Sequence, residues 1–127
     1  MDRSTDELMG RRYKAYTAET GISYRYFFAA RRQVVRPEGQ GSGSDYIFVA
    51  MADQRTPLVL RVFVSDRATS AWQGAHGHEL GASEQYAAAK MRLFRGLDEH
   101  VDLRAECLDL VVDETNVEDL LAPLDLV

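Results

Sequence analysis

Ile22-Ser-Tyr-Arg-Tyr-Phe-Phe-Ala-Ala-Arg31 decides the fold class of this chain. Ile22, Tyr24, Tyr26, Phe28 and Ala30 alternate with Ser23, Arg25, Phe27, Ala29 and Arg31, and that alternation belongs to a strand, whose successive side chains point to opposite faces. The first set is aromatic and apolar, so its face is expected against the core. The second carries two arginines and is expected on the opposite, wetter face. Pro37 ends the pattern. Residues 37–44, with glycines at 39, 41 and 43, read as a flexible connection to another strand.

Asp45–Ala52 is apolar on both faces and is expected at the centre of the sheet. Asp53–Pro57 reads as a turn, and Leu58–Ser65 as a third strand with Leu58, Leu60, Val62 and Val64 on one side. Connections this short join antiparallel neighbours. Toward the N-terminus, Ser4-Thr-Asp-Glu7 has the spacing of a capping box and predicts a short helix to about Tyr16. Downstream, Asp66 is placed to cap a helix from Arg67 to about Leu80, ended by Gly81, and Ser83 to cap a second one covering Glu84–Leu97. The run Cys107–Val112 predicts a fourth strand, and Asn116–Leu124 a final helical turn or two. The expected architecture is α+β, a three- to four-stranded, mostly antiparallel sheet packed against a helical pair, with a short N-terminal helix. Its 127 residues suit a single globular domain with one core and frayed termini.

An apolar fraction of 46% with 28% charged residues excludes a disordered chain. The absence of any long apolar run argues against a secretory leader or a membrane span. Cys107 is the only cysteine, so no internal disulfide forms; a lone thiol in an apolar stretch is expected buried, quiet and cytoplasmic. Charge is laid out unevenly. Arg11, Arg12, Lys14, Arg25, Arg31, Arg32 and Arg36 face Glu19 alone between positions 11 and 36, whereas from Asp98 onward there are ten acids against Arg104. The two blocks are expected to attract each other through modest, salt-screened pairs.

Among candidate sites, Lys90 falls within the apolar arc of the second helix, where an amine must pair with a carboxylate or lower its pKa. Glu79, with Asp109 as alternative, is its expected partner. Lys90, Trp72, His76 and Tyr24 together make a candidate pocket between helix and sheet. His76 and His78 sit about 200° apart on a helix, which disfavours a shared metal ion, and His76 is one turn from Trp72 and expected to pack on it. The glycines at 39, 41 and 43 lack the following helix and cation of a phosphate loop. Arg11, Arg12, Arg25 and Arg31, interleaved with aromatics, form a candidate basic surface of a kind that stacks single-stranded bases. The element order and Ala87-Ala88-Ala89-Lys90 resemble the double-stranded RNA-binding domain. However, Ser83-Glu84-Gln85-Tyr86 supplies none of the lysines that family uses, and an extra helix intervenes, so the likeness is set aside.

The expected function is therefore a non-enzymatic protein-interaction module without cofactor or metal, whose partner is another protein or a second copy of itself. A small-ligand or enzymatic pocket near Lys90 and Trp72 is the first alternative. Single-stranded nucleic-acid binding is the second, disfavoured by the net charge of −5.

Overall fold

The computed structural model describes residues 13–37, 39–52, 56–100 and 109–124. Its architecture is α+β: a five-stranded, mostly antiparallel sheet with its helices on one face. The strands are β1 (Lys14–Thr17), β2 (Ser23–Arg36), β3 (Gly41–Ala52), β4 (Leu58–Ser65) and β5 (Leu110–Val112), side by side in that order. Helices α1 (Asp66–His76) and α2 (Ala82–Glu99) follow β4, and α3 (Val117–Leu121) runs into a 3-10 turn at Ala122–Leu124. The sheet thus has five strands rather than three or four. β5 pairs with β4 in parallel, which the helical pair makes possible by carrying the chain back across the sheet.

The additional strand lies where a helix was expected. Positions 4–12 of that expected helix lie outside the described residues, but Lys14–Thr17 pairs antiparallel with Ser23–Tyr26. Long-range contacts hold it there. The Tyr16 ring stacks on Phe94 of α2 at 4.0 Å, and its hydroxyl donates to Asp98 Oδ1 and Oδ2 at 2.7 and 2.8 Å. The same carboxylate accepts from the Glu19 backbone N–H at 2.9 Å, so the end of α2 clamps the β1–β2 turn.

The expected 37–44 connection is shorter than its glycines imply, because β3 already begins at Gly41. Gly43 is buried within the strand, under the ring of Phe63 from β4. β4 has the bounds read from the sequence. Helix α1 is capped one residue earlier than expected: Ser65 Oγ accepts from the Ala68 N–H at 3.1 Å. It ends at Gly77, whose φ of 77° allows the left-handed cap, so the chain has left the helix before Gly81. Gly81 instead starts α2, and the Glu84 carboxylate accepts its N–H at 2.8 Å.

The main core lies between the helices and the inner face of the sheet. Phe48, Val62, Leu93, Leu97, Leu110, Val112 and Leu121 are fully enclosed there, and burying each large apolar chain contributes about 1.5–3 kcal/mol. On the outer face, Phe27 and Phe63 are buried as well. Tyr13 stands edge-on against Phe27 at 5.0 Å, and the Arg36 guanidinium covers Phe63 at 4.4 Å. Arg36 also bridges Asp45 and Asp109, each at 3.0 Å, and the Asp109 bridge joins the basic and acidic blocks directly.

One local irregularity controls the surface. Phe28 pairs with Phe48, but Ala30, not Ala29, pairs with Ile47, so Ala29 is the extra residue of a β-bulge. Beyond it the faces exchange. Arg31 stands opposite Tyr46 on the helix side, whereas Arg25, opposite Met51, is on the outer side.

Candidate functional site

The residues singled out from the sequence are distributed over three places. Arg25 and Arg31, expected on one face, are separated by the bulge, and Arg11 and Arg12 lie outside the described residues, as does Cys107. Tyr24 is buried in β2. Trp72 is buried in α1, with His76 stacked on it at 3.7 Å, and His76 Nε2 meets the Glu118 carboxylate at 2.8 Å. His78 Nδ1 meets the Glu79 carbonyl instead, and no cluster of three metal-ligating side chains occurs among the described residues.

Lys90 does not meet Glu79, which is exposed, nor Asp109, which is bonded to Arg36. Its ammonium lies 5.9 Å from the Phe94 ring centroid, beside Lys14 on β1. Burial and, after it, the neighbouring Lys14 charge push its pKa below the usual lysine value. A helical wheel carries no information on β1, whose Lys14 is the neighbour.

A different constellation lies beyond the bulge. Phe28, Tyr46 and Tyr86 form an aromatic wall, with the Phe28 and Tyr86 rings 5.2 Å apart and near perpendicular, and Tyr46 and Tyr86 6.4 Å apart. β2 supplies the first ring, β3 the second and α2 the third. With Ala82, Ser83 and Arg31 they line an apolar cavity of about 420 Å³. Burial raises the hydroxyl pKa of Tyr46 and Tyr86; for Tyr46 the Arg31 charge partly opposes the effect. Both rings stand as walls of the cavity.

A second cavity of about 430 Å³ adjoins the first through Arg31. Its lining is polar, with Gln33, Ser42, Ser44, Asp66, Thr69 and Gln85. Arg31 Nε donates to Ser44 Oγ at 3.3 Å, and its guanidinium lies 5.7 Å from the Tyr46 ring centroid. Unlike Arg36, Arg31 forms no ion pair among the described residues. An exposed guanidinium, held by a ring and a hydroxyl between an apolar and a polar cavity, is arranged to receive an anionic group.

The rim of this groove is a strand edge. β1 covers β2 only from Ser23 to Tyr26, so from Phe28 to Arg36 the outer edge of β2 faces no other strand among the described residues. Val35 is 79% exposed on that edge. The sequence offered no sign of this groove, because the alternation of β2 reads as unbroken through Ala29. No known family model, curated protein or solved structure matches the chain. No helix among the described residues is long and apolar enough to cross a membrane.

Proposed function

We propose that this protein is a non-enzymatic interaction module that takes an extended segment of a partner protein against the edge of β2 that no strand covers among the described residues. The observation carrying this reading is the fourteen-residue β2 strand, of which β1 pairs with only four residues. An unpaired edge offers a row of backbone donors and acceptors that an incoming strand satisfies at once, while side-chain pockets beside it provide selectivity. A distinct partner fits better than a second copy. Antiparallel self-pairing of the 28–36 edge about its centre sets Arg32 against Arg32, and like charges directly opposite are destabilising. In this reading the protein works in the cytoplasm and needs no cofactor.

The test is amide hydrogen exchange. Nonapeptides selected on the immobilised full chain from a display library are added to the free protein. Amides between Ala30 and Arg36 are expected to slow by about tenfold or more on binding. Binders that leave that stretch unprotected refute edge docking. A concentration-dependent dimer that protects the same amides without peptide replaces the distinct partner with a second copy.

A further inference from the structure

We infer that the partner segment recognised by this edge carries a large apolar side chain two residues from a single carboxylate. This rests on the edge-docking reading above and specifies its chemistry. In an extended segment, residues two apart project from the same face, about 7 Å from each other. The apolar cavity walled by Phe28, Tyr46 and Tyr86 and the guanidinium of Arg31 are adjacent stations along one side of the edge. The cavity volume of about 420 Å³ lies within the range of roughly 300–1,000 Å³ found for ligand pockets. Its walls are ring faces and edges, which favour an aromatic or branched aliphatic guest.

The charge requirement comes from Arg31 and its surroundings. Arg36 is neutralised by Asp45 and Asp109, while Arg31 and Arg32 have no ion-pair partner among the described residues, so the edge itself is locally cationic in a chain of net charge −5. A carboxylate placed at Arg31 forms a charge-assisted, bidentate pair. Asp66, which lines the polar cavity, limits the demand to one acid: a run of acids extending into that cavity meets its charge.

The experiment uses the selected nonapeptides and two surface variants of the full chain, with binding read by fluorescence anisotropy. Selected sequences are expected to share an apolar residue two positions from Asp or Glu. Replacing that acid with Lys should weaken binding by about tenfold or more, and Arg31→Glu should weaken the original peptide similarly. Arg31→Glu should bind the Lys peptide better than wild type does, a reversal that misfolding cannot produce. Ala82→Trp, at the exposed mouth of the apolar cavity, should discriminate against the bulky apolar residue but not against its Ala replacement.

Selected peptides that protect the β2 edge yet lack this pattern, or show no charge reversal, overturn the inference while the docking reading stands. Absence of edge protection with every binder overturns both. Salt-sensitive binding of an oligothymidylate that protects the edge, with no peptide selected, replaces the protein partner with a single-stranded nucleic acid.

Discussion

Replacing Gly43 with alanine tests how the outer face of the sheet is built. Gly43 lies between Val34 of β2 and Ser65 of β4, and a methyl group there would press on the Val64 carbonyl oxygen and approach Phe63 Cε1 to 2.7 Å. The first obstacle is sheet backbone. The second is a ring with no exposed surface, held down by the Arg36 guanidinium at 4.4 Å. Neither can yield without moving β4 or opening the Arg36–Asp45–Asp109 bridge. Overpacking of this kind costs about 1–3 kcal/mol, and the lost freedom of the unfolded glycine returns about 0.4–1 kcal/mol. The net expectation is about 1–2 kcal/mol of destabilisation. At roughly 4 °C per kcal/mol for a domain of this size, the Tm falls by about 4–8 °C. The assay is thermal and urea unfolding of Gly43→Ala, Phe63→Leu and the double variant. A leucine in place of Phe63 lacks the contacting ring atoms, so the double variant should be more stable than the sum of the single changes predicts, by about 0.5 kcal/mol or more. A Gly43→Ala protein that melts with wild type, or strict additivity, refutes the reasoning.

Three further outcomes follow from single contacts. Burial, reinforced by Asp98 and Glu19, pushes the Tyr16 hydroxyl up to about 12, so its protonated form is favoured by folding; its contribution to stability is complete below pH 10 and is lost as pH rises toward about 12, which absorbance titration with parallel melts will follow. Loss of the Tyr16 contribution at a lower pH than the ordinary tyrosine range would contradict the Asp98 contact. Lys90→Met should melt at or above wild type, because it removes an amine depressed by burial and by Lys14, and combining it with Glu79→Leu should give additive effects; a clear loss of stability would mean that the ammonium has a carboxylate partner. Arg36→Ala should cost about 1–2 kcal/mol in urea unfolding by uncovering Phe63, whereas Asp109→Asn should stay within about 0.5 kcal/mol because Asp109 is largely exposed.

Local pattern made β4 legible: four apolar residues on one face follow Pro57, and the turn leaves no room for another reading. β1 was not legible, because Lys14–Thr17, preceded by Tyr13 and carrying Tyr16, fits a helical turn as well as a strand, and what selects the strand is Phe94 and Asp98, some eighty positions away. Gly43 read as loop because glycine weakens a strand. In the fold its missing side chain is the space that Phe63 occupies. The positions of the helical caps were blurred by neighbouring alternatives, Ser65 beside Asp66 and Gly77 ahead of Gly81, where either residue type could do the work.

The groove was hidden by a single residue. Phe27-Phe28-Ala29-Ala30 contains no glycine, proline or asparagine to mark a bulge, so alternation carried through it puts Arg25 and Arg31 on one face, as a basic surface. Counting Ala29 once too often in the ladder reverses every residue after it. Arg31 then leaves the company of Arg25, meets Ser44 and the Tyr46 ring, and comes to stand between two cavities. The same reversal turns Arg32 and Arg36 outward, where Arg36 can cover Phe63. Without the bulge, the second half of β2 would turn Arg32 and Arg36 toward the aromatic wall and leave Phe63 without its cover. With it, one strand supplies both a neutralised arginine that stabilises the outer face and, beside the groove, one without an ion pair among the described residues. The selectivity inferred for the edge depends on that second arginine, and reversing its charge is the experiment that tests it.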